Sequence, residues 1–336
     1  MTNKNIRLHN VPFLLRPVGK DYLWGGRRLK DDYGKELDMT PLAETWECST
    51  HPDGSSIVAS GEFSGQTLAQ VIREHPEFLG THPASGSELP LLVKFIDAKK
   101  DLSIQVHPDD EYARKHENGQ LGKSEMWYVL DAAPDTTLIY GLYRDADRDT
   151  LRQGIMEGTI EKYLQKIPVR KNDLFYVEAG TIHAIGAGAL IVEIQQSSDL
   201  TYRLYDYDRV DANGQKRALH VDKALEAANL NGSPAPRQPM RVLNYRKGCA
   251  SEFLCRCKYF EVYRMLINTE NCRALVPYRA DCSSFRVLLC VDGCGSLMTE
   301  NGGEPLQIFK GDCVFFPADS VTVDLHGKAQ FLDVRG

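Results

Sequence analysis

Apolar positions recur every second residue over much of this chain, and every third or fourth residue in only a few places. Over 102–107, Leu102, Ile104 and Val106 alternate with Ser103, Gln105 and His107, the period of a strand with one face in the core. Residues 123–130 pass from a charged start, with Lys123 and Glu125 on one face, into an aromatic and aliphatic run typical of strand. Residues 91–97 form a continuous apolar run, read as a buried strand, and 42–50 and 55–61 read as shorter strands parted by the turn at 51–54. The helical period appears at 68–78, with Thr67 as cap and Gly80 as stop. A helix start at Pro108, with Asp109, Asp110 and Glu111 in its first turn, runs to His116. A helical block is predicted over 147–167, capped by Asp149, stopped by Pro168 and divided at Gly158; a third helix is predicted over 218–230. After a polar, proline-containing linker at 231–239 the pattern is short strands and turns to the end, so a boundary falls at 238/239.

Composition narrows the class without changing this outline. The 336 residues are 42% apolar and 26% charged, as in an ordinary globular protein of one large or two smaller domains. A net charge of −6 and a pI near 5.9 count against nucleic acid or an anionic membrane surface as partner. No apolar run is long enough to span a membrane, and the first twenty residues lack the apolar core and cleavage site of a signal peptide. Nine cysteines, eight of them at or after Cys249, fit reduced thiols and a cytoplasmic location better than a disulfide framework.

Candidate chemistry concentrates in 102–130. If the strands at 102–107 and 123–130 lie side by side, Gln105, His107 and Glu125 converge, and such N/O donors suit a divalent transition metal. The plain alternative is a core histidine and a surface carboxylate. A repeat bears on the choice. Residues 171–183, KNDLFYVEAGTIH, match 310–322, KGDCVFFPADSVT, at an offset of 139, and 123–131 match 284–292 more weakly. Two related β-barrel or jelly-roll units follow from this. The second has Thr322 for His183 and Arg286 for Glu125, so the chemistry is expected in the first.

Residues 173–183, of the form D-x4-E-A-G-x2-H, resemble the second motif of the cupin barrels, which sets His183 on an inward-facing strand and makes it the fourth donor. The resemblance then becomes more specific. LSIQVHPDD (102–110), GKSEMWYVL (122–130), GTIHAIG (180–186) and VEIQQSSDLTYRLYDYDR (192–209), with YLWGG (22–26) and AETWECSTHPDG (43–54), are similar to the short bacterial form of the type I mannose-6-phosphate isomerases over about the first 245 residues. The resemblance implies a mainly β fold of two cupin-like domains with a few short helices packed on the first. These are a catalytic domain over 1–238 and a degenerate one over 239–336. It implies one Zn²⁺ per chain on Gln105, His107, Glu125 and His183, and a hexose phosphate substrate. Motif matching puts the family's arginine at Arg203, its pocket carboxylate at Glu193, its lysine at Lys123 and its serine at Ser103. The chain departs from longer members at 200–208.

Moving a proton between C1 and C2 needs a base and stabilisation of an enediolate, to which a divalent metal can contribute as Lewis acid or by holding a water of lowered pKa. Arg203 suits the oxyanion. Glu193, a metal-held water and Lys123 are candidate proton carriers, and Lys123 and Ser103 suit the phosphate. Glu193 paired with Arg203 is the structural alternative. Trp24, Trp46 and Trp127 are expected in the core, and His51, His82, His116, His220 and His326 in solvent. A cupin dioxygenase or a non-catalytic sugar-binding cupin are the competing functions. Gln105 and the 18-residue gap from His107 to Glu125 disfavour the first, and the complete residue set the second.

Overall fold

The computed structural model describes all residues except 1–9, 83–87, 212, 234, 235, 237, 239, 273 and 300–303. The expectations for the extreme N-terminus and for four positions of the 231–239 linker therefore lie outside the described residues. Strands and helices are numbered in chain order.

The site-bearing half is two sheets that face each other. One runs β10 (Leu174–Val177), β7 (Glu125–Ala132), β12 (Ala189–Gln196), β5 (Leu91–Asp97), β3 (Glu44–Cys48), β2 (Val18–Lys20). The other runs β13 (Tyr202–Tyr205), β6 (Ile104–Val106), β11 (His183–Ile185), β8 (Thr137–Leu142), β9 (Leu164–Pro168). Between them lies an apolar layer that includes Trp127, Val129 and Ile191 from the first sheet and Leu138 and Ile185 from the second. A third sheet runs β14 (Asn244–Arg246), β15 (Cys249–Arg256), β16 (Glu261–Asn268), β21 (Val323–Arg335), β18 (Arg286–Thr299), β20 (Cys313–Phe316), β1 (Phe13–Arg16), β4 (Ile57–Val58). To it β17 (Val276–Tyr278) adds on β21 and β19 (Leu306–Phe309) on β18. The protein is mainly β and cupin-like. The chain does not divide cleanly in sequence, because β1 and β4 complete the sheet of the C-terminal half.

Alternation explains how the layers stack. On β7, Trp127 and Val129 enter the layer above, while Met126 and Tyr128 face the opposite way, into a second core shared with Val287, Leu289, Leu332 and Val334 of the third sheet. A buried ion pair, Lys35 Nζ to Glu47 Oε2 at 2.7 Å, crosses this second core, and the same ammonium donates to the Gly311 carbonyl.

The helices are α1 (Arg28–Asp31), α2 (Leu68–Glu74), α3 (Asp110–His116), α4 (Arg148–Met156) and α5 (Val221–Ala227). Thr67 caps α2 through Gln70 N–H, and a 3-10 turn, Pro76–Leu79, carries the chain to Gly80. Gly80 has φ +90, and a Cβ there would meet the Ser283 carbonyl oxygen at 2.5 Å, so the stop is also a contact between the halves. Asp109 caps α3 as expected. The cap of α4 is Asp147, not Asp149, and Leu164–Pro168 is strand rather than helix. Ile160, Tyr163, Leu164 and Ile167 have helical spacing, but a 3-10 turn ends at Tyr163 and β9 pairs with β8 from Leu164 on. The third predicted helix is shortened to α5. Leu151, Ile155, Ala224 and Leu225 of α4 and α5 cover the outer face of β6, β11 and β13. The C-terminal strands are not all short, since β18 and β21 run 14 and 13 residues.

The repeat is deeper than sequence similarity suggests. Strands β10-β7-β12-β5-β3-β2 correspond in order to β20-β18-β21-β16-β15-β14. Glu125 lies opposite Val177, and Arg286 opposite Phe316; Tyr128 lies opposite Leu174, and Leu289 opposite Cys313. Glu193 faces Trp127 and Lys94, and its counterpart Asp333 faces Leu288 and Tyr263. Even the bulges repeat. One residue, Leu130 or Val291, is extruded where β7 meets β12 and β18 meets β21, and another, Glu47 or Leu254, where β3 meets β5 and β15 meets β16.

Candidate metal centre and active site

Two rows of cross-strand neighbours build the site, because directly opposed residues in a ladder point to one face. Across the smaller sheet, His183 is opposite Gln105 and Gln105 is opposite Arg203. Across the larger one, Trp127 is opposite Glu193, Glu193 opposite Lys94, and Lys94 opposite Trp46. Glu125 adjoins the second row on β7, and His107 extends the first beyond the end of β6. Strands β6 and β7 are not side by side, as the sequence suggested, but belong to opposed sheets. His107 and Glu125 meet across the gap between them.

His107, Glu125 and His183 are buried and bring one donor atom each within 4.8 Å of the others. His107 Nε2 is 3.5 Å from Glu125 Oε2, and His183 Nε2 is 3.4 Å from Glu125 Oε1. A tetrahedral ion with bonds of about 2.0 Å separates its ligand atoms by about 3.3 Å. The ring tautomers follow from their partners. His107 Nδ1 is 2.7 Å from the Leu200 carbonyl and His183 Nδ1 2.8 Å from the Thr181 carbonyl, and a carbonyl only accepts. Each Nδ1 therefore carries the proton and each Nε2 presents a lone pair. Burial, reinforced by the Lys123 charge, keeps both rings neutral; His183 is lowered to about 4. Among the described residues, Glu125 Oε1 and His183 Nε2 have no hydrogen-bond partner. Buried atoms of this kind are costly without a partner, and a divalent cation satisfies both. The residues fit a metal, and Gln105 neighbours the trio from the cleft side.

Charge accounting gives the same result. Among the described residues, Glu44, Glu125 and Glu193 are buried beside two buried lysines, Lys94 and Lys123. Lys94 Nζ lies 3.5 Å from Glu44 and 3.4 Å from Glu193; Lys123 Nζ lies 2.8 Å from Glu125, 3.6 Å from Glu193 and 3.2 Å from His107 Nε2. Burial disfavours the Lys123 charge, but Glu125 and Glu193 outweigh it and keep the ammonium protonated. Burial likewise opposes ionisation of Glu193, and Lys123, Lys94 and the Trp127 indole N–H at 3.0 Å outweigh it. Glu125 is the carboxylate left short of cation. Burial, then the neighbouring Glu193, pushes it up to about 7.

The trio backs onto a cleft of about 240 Å³ lined by Ser103, Gln105, Lys123, Glu193 and Arg203, with Tyr22, Lys94, Asp199 and Arg217 among its other walls. Arg203 donates from Nε to Ser103 Oγ at 3.3 Å and from Nη1 to the Ala218 carbonyl at 2.9 Å. Glu193 is paired with the lysines, so the alternative of a simple Glu193–Arg203 pair is not the arrangement found. Lys94 was missed, although a lone charge inside the apolar run 91–97 is a signal. Arg217, held by Asp206 at 2.8 Å through Nε, carried no local signal. All three tryptophans are buried. His82, His116 and His326 are exposed, but His51 and His220 are partly buried, which corrects the expectation for those two. His51 packs edge-on against Trp46, and His220 Nδ1 accepts the Arg203 backbone N–H at 3.2 Å.

A sequence profile for the catalytic domain of type I phosphomannose isomerase matches residues 13–135. The "Probable mannose-6-phosphate isomerase GmuF" of Bacillus subtilis is 47% identical over 96% of this chain and 98% of its own. The chain belongs to the type I phosphomannose isomerase family. Mannose-6-phosphate isomerase ManA of Bacillus subtilis is 36% identical over 95% of this chain and 97% of its own. The crystal structure of a mannose 6-phosphate isomerase from Bacillus subtilis aligns with a TM-score of 0.88 at 36% identity, covering 96% of this chain and 99% of that one. The family read from the motifs is therefore correct, and the Bacillus subtilis relatives match 95–96% of the chain. No helix among the described residues is long and apolar enough to cross a membrane.

Proposed function

We propose that this chain is a zinc-dependent aldose–ketose isomerase that interconverts D-mannose 6-phosphate and D-fructose 6-phosphate. The observation that carries the reading is the buried His107–Glu125–His183 trio, with unpartnered donor atoms, at the back of a cleft that also presents Arg203 and Glu193. His107, Glu125 and His183, with Gln105 as amide donor, would hold one Zn²⁺, whose bound form supplies Lewis acidity toward substrate oxygens.

The chain's own groups divide the remaining work. Arg203 donates toward the oxygen that gains charge as the proton leaves carbon. Glu193 is the ionised acceptor in the cleft and the group we assign to proton transfer. Lys123, protonated and in contact with the metal ligands, serves the reacting end as a cation beside the developing charge. Ser103 and Lys123 are retained as substrate contacts, and Arg217 adds a second guanidinium to the cleft for the phosphate. On the same basis we assign the catalytic role to 1–238, apart from β1 and β4, which complete the sheet of the degenerate 239–336 half. Among the described residues the ligand group lies in the first segment. Nine unpaired cysteines support a reducing, cytoplasmic location, and the acidic pI supports a small-molecule substrate over nucleic acid or membrane.

The test is metal analysis paired with a coupled isomerisation assay over a set of hexose phosphates. Stoichiometric zinc with turnover of mannose 6-phosphate supports the reading. Bound zinc with no turnover of any hexose phosphate would overturn it and favour a non-catalytic sugar-binding role.

A further inference from the structure

The counterpart of the metal site in the C-terminal half has not closed up. It is a cavity of about 520 Å³ at the open end of the third sheet, large enough for a small organic ligand. Strand-by-strand correspondence identifies its groups. Arg286 stands where Glu125 does, since each begins its strand opposite equivalent residues, Phe316 and Val177. Asp333 stands where Glu193 does, and Arg335, two residues on, shares its face. The position of the ligand carboxylate Glu125 has thus been taken by the Arg286 guanidinium, while a carboxylate, Asp333, remains at the Glu193 position.

Four arginines line this cavity: Arg246, Arg279, Arg286 and Arg335. Two are balanced internally. Arg286 Nη1 binds Asp333 Oδ2 at 2.7 Å, while Tyr278 OH donates to the other Asp333 oxygen at 2.7 Å, and Arg335 pairs with Glu261. Asp281, hydrogen-bonded to Ser283, feels the same two arginines from farther away. Arg246 and Arg279 are exposed at the rim, and among the described residues neither has an ion-pair partner. Tyr278 and Tyr263 provide ring walls, each with an arginine over it, at 5.6 and 5.7 Å. Positive forks converging on one cavity, in a chain of net charge −6, favour an anion with several acceptor oxygens.

We propose that the C-terminal half binds a small phosphate monoester in this cavity, its phosphoryl group on Arg246 and Arg279 and its body against Tyr263 and Tyr278. Arg286 and Arg335, each balanced by a carboxylate, form the inner wall, and Asp333 fixes Arg286 in place. The site is separate from the isomerase cleft, with which it shares no lining residue.

The test uses the full-length, zinc-loaded protein with inorganic phosphate and phenyl phosphate as probes at low salt. Binding is followed by calorimetry, and its location by hydrogen exchange. Wild type should bind phenyl phosphate with protection at 244–246 and 277–286, more tightly than inorganic phosphate, and lose affinity as salt rises. Arg246→Ala/Arg279→Ala should weaken this event about tenfold or more, while leaving mannose 6-phosphate turnover unchanged. The unchanged turnover reports that the variant is folded, and Arg279→Glu should act in the same direction. Identical isotherms for wild type and variants, or probe-dependent protection confined to the isomerase cleft, would overturn the proposal.

Discussion

His183 lies directly opposite Gln105 on neighbouring strands, and across the gap between sheets its Nε2 is 3.4 Å from Glu125 Oε1. No hydrogen bond satisfies either atom among the described residues, and in the proposed metal site a bound divalent ion would join the two sheets at this point. His183→Ala should therefore remove metal and turnover together. Metal per chain should fall from near one to near zero by elemental analysis, and the loss of turnover should not be rescued by equimolar zinc. Retention of one zinc per chain by the variant would show that the ligand set is wrong.

Arg203 is half-buried at the cleft and no metal ligand. Arg203→Ala should keep stoichiometric zinc and lose about 10²–10³-fold in kcat, the usual effect of deleting one oxyanion donor. Arg203→Lys should restore little, because a point charge cannot reproduce the fork to Ser103 and Ala218. Full activity in Arg203→Ala contradicts its role.

Lys123 is the internal counter-ion of Glu125 at 2.8 Å. In Lys123→Ala the metal-free protein keeps two buried carboxylates with less compensation, a loss of about 3–5 kcal/mol by analogy with broken buried pairs. A divalent cation offsets that loss. The gain in melting temperature on zinc addition should thus be larger in the variant than in wild type, measured by calorimetry at one zinc concentration. An equal or smaller gain would place Lys123 outside the metal's field.

Much of this site was legible in the sequence, and what was not has identifiable causes. The alternation over 102–107 fixed which face Gln105 and His107 share, and the cupin motif supplied His183. Local patterns carry no information about which strands pair, so β6 and β7 were set side by side although they belong to opposed sheets. At 160–167 the apolar spacing is helical, yet β8 offers Leu164 and Ile167 a ladder, and tertiary pairing prevailed over period. Arg217 enters the cleft from a loop through its bond to Asp206, a contact no periodicity encodes. The repeat was visible in two short stretches. Its equivalence over six strands and two bulges rests on register, which survives after side chains have diverged.

Asp206 links that loop to the cleft wall by accepting from Arg209 and Arg217. Burial raises its carboxyl, and the two arginines outweigh this and hold it below the usual 3.8. A depressed carboxylate contributes stability that is complete above its unfolded value and is lost as pH falls through the folded one. The stability difference between wild type and Asp206→Asn, from urea titrations, should be constant at neutral pH and shrink only below about 3.8. A difference that already declines near pH 6 would mean that the arginines do not hold this carboxylate.

The central claim is that these residues, with a divalent ion, isomerise mannose 6-phosphate. The most direct measurement follows that sugar by NMR with the protein as isolated, after chelation, and after zinc is restored. Conversion to fructose 6-phosphate should stop on chelation and return with zinc. Conversion that continues undiminished in the metal-free protein, or no conversion in the zinc-loaded one, would contradict the account.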